Sequence, residues 1–285
     1  MTLILGCAVG DSVYQISDRR LVYSNGIVAT NTQNKSVFLD GRVAVGYTGL
    51  AEIAGKPTDR WLAEILHREF SKSADLKASF VALRDSATAI FKSIRLAPHL
   101  KRHAFQAIGW VKPNGESNLS PLILGVDNSL DMDGKWDAEA RDEFILRQHL
   151  LTCEPSPTIM SVGAGCSEPE KSAIVRLVRR CARRGEPAIV MESLIRSMLW
   201  LSARHKTIGN SLLAIHIPKG CVTCEPFVRF AVDRPNPTNP TFWTVEPNLT
   251  TSGVGPNVVS QDLIICGIKE AGPGFFFSVR RRRAE

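Results

Sequence analysis

The sequence contains no apolar run approaching the roughly 20 residues that a helix needs to cross a bilayer. Its opening, MTLILGCAVGD, has a short apolar stretch but neither a basic n-region nor a long hydrophobic centre. The opening therefore reads as a strand and not as a signal peptide, and the cytoplasm is the expected location. A paired cysteine framework is missing too. The seven cysteines (7, 153, 166, 181, 221, 224 and 266) are scattered and odd in number, which fits reduced thiols, several of them buried. Metal-type spacing is confined to one Cys-x-x-Cys, Cys221 to Cys224, with Cys266 and His216 the conceivable further ligands. A lone pair of this kind is a weak signal, so no metal and no cofactor are expected. No internal repeat of solenoid period is visible.

What is present is an ordinary globular composition: 285 residues, 44% hydrophobic and 22% charged. That is enough chain to bury a core without staples. The formal charge of +7 is concentrated in the tail Arg280 to Arg283 and in five arginines, 176, 179, 180, 183 and 184. The five fall at i, i+3, i+4, i+7 and i+8, one face of a helix, which reads as a solvated or subunit-facing surface. Nucleic acid is disfavoured as a partner because no aromatic residues interleave with them.

Along the chain the texture changes four times. Thr2 to Val9 and Val13 to Ser17 read as strands, and Asn25-Gly26 and Asp40-Gly41 are dipeptides suited to type I′ hairpin turns. Thr58-Asp59 can cap a helix carrying Trp61, Leu62, Ile65, Leu66 and Phe70, and Leu76 to Ile94 repeats at helical spacing. Strand patterns return at Ala104 to Val111, Leu122 to Val126 and Thr158 to Val162, separated by a polar segment, 127–147, that reads as an insertion, part of it helical. Ser167-Glu168-Pro169-Glu170 is a capping box opening a third helix, and Pro187 opens a fourth. Ser211 to Ile217 and Phe227 to Val232 close the pattern as strands. Segregated runs of this kind indicate an α+β fold. The economical arrangement is a four-layer αββα sandwich spanning 2–232, with 233–285 as a C-terminal extension ending in the arginine tail.

Four short motifs then occur in order. Thr2 stands on the first strand, and Ser17-Asp18-Arg19-Arg20 ends the second. Asn34-Lys35-Ser36-Val37-Phe38 precedes a hairpin, and Val43 to Leu50 is an apolar strand ending in Thr48-Gly49-Leu50. In this respect the chain resembles proteasome β-subunits and their bacterial ring-protease relatives, the N-terminal nucleophile hydrolases. One residue is inserted between Asp18 and Lys35, and the same offset holds through Gly49. The likeness extends more weakly to about residue 218. It implies that Thr2, exposed by loss of Met1, is a nucleophile whose own α-amine is the base. It also implies that Lys35 is a cation beside the hydroxyl, that Asp18 orients Lys35, and that the Gly49 N–H is the oxyanion donor. Tyr47 matches a position lining the family's specificity pocket, where a bulky ring would favour small side chains.

The supporting residues depart from the family. Gly163-Ala164-Gly165 stands where the family has Gly-Ser-Gly, and Arg204-His205-Lys206-Thr207-Ile208-Gly209 where it has Arg-Asp-x-x-Ser-Gly. Arg20, Ala164, His205 and Gly209 are the supporting candidates, with His205 in place of an aspartate or else a helix-end imidazole without chemistry. Ser161, Thr207, Asn210 and Ser211 are the hydroxyl and amide groups available to substitute. The resemblance leads to an amide-bond hydrolase acting on a polypeptide or a small amide. It also implies a homo-oligomer, ring or filament, with an unfoldase as a conceivable partner. Two alternatives stay open: a silent subunit serving assembly or binding, and a basic nucleic-acid-associated protein.

Overall fold

The computed structural model describes residues 2–23, 26–112, 118–130, 139–150, 156–163, 166–220, 227–236, 239–247, 256–262, 264–265 and 275–276. The first strands are β1 (Leu3–Val9) and β2 (Ser12–Asp18), joined through Gly10, whose φ is +53°. A separate two-stranded ribbon follows, β3 (Leu21–Val22) with β4 (Val28–Thr30), so the turn at Gly26 belongs to neither main sheet. Next come β5 (Ser36–Leu39) and β6 (Val43–Thr48). Between them Asp40 and Gly41 both take positive φ (51° and 67°), and the Arg42 N–H donates to Leu39 O at 3.1 Å. This is the type I′ geometry expected of the dipeptide. The short pair β7 (Glu52–Ile53) and β8 (Lys56–Pro57) leads into α1 (Thr58–Ser73) and α2 (Leu76–Ser93).

Strands β9 (Ala104–Val111), β10 (Ser120–Asp127), β11 (Ile145–Leu150) and β12 (Thr158–Gly163) precede α3 (Glu168–Ala182) and α4 (Pro187–Arg204). The chain continues through β13 (Ser211–Pro218), β14 (Phe227–Asn236), β15 (Asn239–Pro247), β16 (Asn257–Val259), β17 (Ile264–Ile265) and β18 (Phe275–Phe276). The result is a mixed α+β fold. One seven-stranded sheet runs β12-β1-β2-β13-β14-β15 with β18 on β14, and the other runs β11-β10-β9-β6-β5-β16-β17. Among the described residues no helix is long and apolar enough to cross a membrane.

Side-chain alternation along the strands explains why they read as apolar runs. In β1, Leu3, Leu5, Cys7 and Val9 pack with α3 and α4 residues such as Ile174, Val178, Leu194 and Met198. Ala8 faces the opposite way and joins Val13, Phe38, Ala44, Ile108, Trp110 and Leu213. In β6, Val43, Val45 and Tyr47 pack with Trp61, Leu66, Phe80 and Phe91 of the other helix pair, while Ala44 faces the opposite way. Period-two strands buried on both faces need this pattern. Each buried Leu, Ile or Phe contributes about 1.5–3 kcal/mol. Gln15 on β2 spans the interior, its Nε2 donating to Ala44 O (3.1 Å) and Gln106 O (3.2 Å) of the other sheet.

Several expectations need revision. Thr58 does not cap α1: the N-cap is Pro57, and the Thr58 hydroxyl donates to Leu50 O at 2.7 Å. The end of the expected insertion is a strand, β11, paired with β10, and the described residues 139–144 form no helix. The boundary at 232 falls inside β14, and part of 233–285 belongs to the sheets. Buried β16 pairs parallel with β5 through Val258↔Phe38, a pairing without any local signature. The capping box holds as read: the Glu170 N–H donates to Ser167 Oγ, and Glu170 Oε2 accepts the Ser167 N–H at 2.9 Å. Cys221, Cys224, Cys266 and the arginine tail lie outside the described residues. His216, the other conceivable ligand, has Nε2 3.0 Å from Ser12 Oγ and stacks on Tyr14.

Candidate active site

The antiparallel register of β1 and β2 sets Ile4 opposite Ser17, and this brings Leu3 and Thr2 to the end of β2, where Asp18 sits. Asp18 is completely buried, and backbone donors from three segments converge on it. Its Oδ1 accepts the Leu3 N–H at 2.9 Å, and its Oδ2 accepts the N–H groups of Gly209 (3.0 Å) and Arg20 (3.3 Å). Lys35 lies 3.6 Å from Asp18 Oδ1. The Lys35 ammonium donates to Thr2 Oγ1 at 2.5 Å and to the carbonyl oxygen of Arg20. Thr2, Asp18 and Lys35, far apart in sequence, thus form one hydrogen-bonded unit. Thr2 itself is only 4% exposed.

Burial governs the chemistry of Lys35. With 1% of its surface exposed, removal from water pushes its pKa down from 10.5 to about 8, while Asp18 acts in the opposite direction. An ammonium with a pKa near 8 is close enough to neutrality to exchange protons at physiological pH. The backbone that presents it is locked. Asn34 Oδ1 accepts the Ser36 N–H at 3.1 Å, and Asn34 Nδ2 donates to Asp59 Oδ2 at 3.1 Å. Asn257 of β16 donates to the same Asp59 oxygen at 3.2 Å, so helix α1 and the late strand both brace the segment before Lys35.

Tyr47 does not sit on the wall of the cleft described below, among its described lining residues. It is 1% exposed and packed in the core under α1, with burial pushing its pKa well up. Its hydroxyl donates to Asn34 O at 3.2 Å and its N–H to Lys35 O at 3.1 Å. The residue expected to shape specificity is one that positions Lys35.

Gly49 turns the chain after β6 with φ +116°, and a Cβ there would lie 2.4 Å from Arg102 O and 2.6 Å from His103 Nδ1. Only glycine fits. The Gly49 N–H forms no backbone hydrogen bond among the described residues, whereas the next N–H, of Leu50, donates to His103 Nδ1 at 3.0 Å. On the other side of Thr2, Gly163 has φ +104°, and a Cβ there would fall 1.9 Å from Thr2 O. That carbonyl accepts the Thr48 hydroxyl at 3.1 Å. Thr48, Gly49 and Gly163 all line a cleft of about 760 Å³ between β12, the start of β9 and the C-terminal half of β10. His103 gave no sequence signal, being a single imidazole without a spacing partner.

The supporting candidates divide. Gly209 is in the unit through its bond to Asp18, and a Cβ on it would meet Arg20 Cβ at 2.7 Å. Arg20 clamps the same loop, donating to Lys206 O (2.9 Å) and Ile208 O (3.2 Å), and to Asn31 Oδ1 (2.9 Å). His205 is placed elsewhere. As the C-cap of α4 its Nε2 is 3.2 Å from Glu170 Oε1, a carboxylate that Arg204 also approaches at 3.5 Å. Ile208, which stands where the resemblance would put a serine, is buried in the core under α3 and α4. Thr207 is exposed, and Ser161 lines the cleft. Ala164 lies outside the described residues. No family model matches the chain, and no curated protein matches it.

Proposed function

We propose that the protein is an amide-bond hydrolase of the N-terminal nucleophile type, a four-layer αββα sandwich in which Thr2 forms a covalent acyl-enzyme. The observation that carries the reading is the 2.5 Å contact between the buried Lys35 ammonium and Thr2 Oγ1, with Asp18 behind it. A threonine at the head of a strand has no structural need of a desolvated lysine, and burying that charge costs several kcal/mol, so the pairing points to chemistry. The reading requires Thr2 to carry a free α-amine, that is, loss of Met1. The amine, with a pKa near 7.7–8.0 in water, accepts the hydroxyl proton as Oγ1 attacks the substrate carbonyl. Lys35 stabilises the alkoxide as it forms, and the Gly49 N–H faces the developing oxyanion. Collapse breaks the C–N bond, the amine leaves with the proton, and water then hydrolyses the Thr2 ester by the reverse sequence. The substrate is a polypeptide or a small amide.

The same reading carries a homo-oligomer larger than a dimer, for which the exposed Leu177 (36%) and Trp200 (41%) on α3 and α4 offer contact surface. A second reading, a silent subunit of the same fold, draws on the engagement of His205 with Glu170 and on the apolar Ile208. An α′,β′-epoxyketone peptide separates the two, since it bonds to both the hydroxyl and the α-amine of an N-terminal threonine. Intact mass is expected to show Met1 absent and one probe added, with no addition in Thr2→Ala. Met1 retained on most molecules, or unmodified Thr2 after Met1 loss, would reject the hydrolase.

A further inference from the structure

The first sheet ends at β12, whereas the second continues past β9, over which β12 packs, to β10 and β11. We propose that the free edge of β12 binds an extended polypeptide as an added strand, with one end of it at Thr2. Calling that polypeptide the substrate rests on the hydrolase reading; the binding edge itself does not. Strand β12 carries none of the devices that blunt a sheet edge, since no charged residue and no proline occurs between Thr158 and Gly163.

Hydrogen-bond alternation fixes which groups point off that edge, because successive residues of an antiparallel strand bond to opposite neighbours. The Leu3 N–H turns toward β2, where it meets Asp18 Oδ1 at 2.9 Å, and Thr2 O turns the other way, toward Gly163. On the far side of β2 the Arg19 N–H donates to Ser211 O at 2.9 Å, which sets the same alternation from β13. Ile4, Gly6 and Ala8 therefore bond to the residues opposite them, Val162, Met160 and Thr158. The N–H and C=O groups of Ile159 and Ser161 point away from β1, and neither N–H donates to another group among the described residues. Two amide units about 7 Å apart on one line match the period of another extended chain. A small amide would engage one of them, whereas a strand engages both, as in β-strand addition to a sheet edge.

The edge opens on the cleft that continues from Thr48, Gly49 and Gly163, and its volume of about 760 Å³ suits a short peptide segment. All of β12 lines it on one side, and Ile123, Gly125 and Asp127 of β10 line it on another. Gly125 leaves room there: a Cβ on it would meet no atom within 4 Å. Side chains along β12 alternate, Ile159 toward α3 and α4 and Met160 toward the second sheet. An added strand alternates likewise, so every second side chain faces Gly125 and the apolar Ile123. Position along the edge links it to the chemistry. Gly163, at the end of β12, lies against Thr2 O, where a Cβ would fall 1.9 Å away. Residues of the bound chain beside Ser161 and Ile159 then sit about two and four positions from the bond presented to Thr2.

The test reads the backbone and not the side chains. Full-length Thr2→Ala protein is mixed with four fluorescein-labelled heptapeptide amides in which serine alternates with alanine, valine, leucine or phenylalanine. Fluorescence anisotropy is expected to give a Kd below about 1 mM for at least one of them. N-methylation at successive positions of the tightest peptide is expected to weaken binding about five- to tenfold at every second position and little at those between. Amide exchange followed by NMR is expected to show the Met160 and Val162 N–H groups protected in the free protein. Those of Ile159 and Ser161 are expected to become protected only when peptide is added. Ser161→Pro removes an edge donor without touching the ladder to β1 and is expected to weaken binding by a similar factor. No binding of any peptide below about 1 mM, or N-methyl effects without alternation, would overturn the proposal. So would Ile159 and Ser161 amides already protected in the free protein. Protection independent of concentration would mean that the chain covers its own edge, and protection that grows with concentration that a second copy does. If Ser161→Pro fails to fold, the N-methyl series decides alone. Because no turnover is measured, this result is independent of the epoxyketone adduct that decides the hydrolase reading.

Discussion

Tyr47 holds the backbone around Lys35 at two points, its N–H on Lys35 O at 3.1 Å and its hydroxyl on Asn34 O at 3.2 Å. The ring is buried under α1, and His103 stacks parallel to it at 6.0 Å. The lysine that touches Thr2 is therefore aimed by core packing and not by a surface loop. Tyr47→Phe keeps the ring and the backbone bond but removes the donor to a buried carbonyl. It is expected to cost about 1–2 kcal/mol in urea unfolding. Under the proposed mechanism it lowers kcat severalfold and leaves the ranking of substrate side chains unchanged. A changed ranking would return Tyr47 to the specificity role.

The depressed pKa of Lys35 makes a signed prediction for stability. Below about pH 8 the native and unfolded chains both carry the Lys35 proton, and the native state bears the cost of a buried charge. Between about 8 and the ordinary 10.5 the unfolded chain binds a proton that the native chain has released. Stability contributed by this group therefore rises with pH across that window. Pairwise comparison of the wild type with Lys35→Met by denaturant unfolding at pH 7.5, 9 and 10 isolates it. The wild type is expected to gain on the order of 1–3 kcal/mol relative to the variant. A parallel pair of curves would show that Lys35 titrates normally.

The elements that the sequence reveals are those whose signal is local. Ser167 and Glu170 make a capping box because three residues separate them, and Asp40-Gly41 makes its turn because both residues accept positive φ. Asp18, Lys35 and Gly49 were legible as charges and a glycine at strand ends in a familiar order, and the structure brings Asp18 and Lys35 together with Thr2. What stayed hidden depends on distant partners. Strand β11 follows a charged stretch, and Phe144 just before it and Leu146 within it are the residues there that join the core among the described side chains, so its alternation is masked. Strand β16 is three residues long and exists because Asn257 and Val258 find Asp59 and Phe38. Tyr47 shows the limit most clearly. Its place in a motif was readable, but the face it occupies, core or cleft, is decided by the packing of α1.

His205 sits on the opposite side of that limit, matched by position to a catalytic aspartate and tied by geometry to Glu170 at 3.2 Å. Its side chain is 35% exposed, so solvent weakens the pair, and helix-end charge effects are small at such exposure. His205→Ala is expected to cost about 0.5 kcal/mol of stability and to change the hydrolysis rate by no more than about twofold. A loss of a hundredfold or more, measured on purified and folded variant, would place the imidazole in the reaction after all.

The decisive prediction concerns the unit formed by Thr2, Lys35 and Asp18. Thr2→Ala removes the hydroxyl and is expected to abolish hydrolysis while the fold survives, because the Leu3 N–H still reaches Asp18 Oδ1. Lys35→Met leaves Asp18 without its cation but with three backbone donors, so the carboxylate stays satisfied and the protein stays folded. Its rate is nonetheless expected to drop by about 10²–10³, the usual worth of one preorganised group at a developing oxyanion. Asp18→Asn presents an amide to the same backbone N–H groups, and half of its polar surface is then of the wrong sign. It should lose both stability and rate. Residues that act on one proton do not add, so Thr2→Ala combined with Lys35→Met is expected to be no slower than Thr2→Ala alone. The cycle is read with one fluorogenic peptide amide, with circular dichroism on every variant. Undiminished turnover in folded Thr2→Ala would remove Thr2 from the chemistry, and the buried Lys35–Asp18 pair would then be a structural tie between β2 and the start of β5.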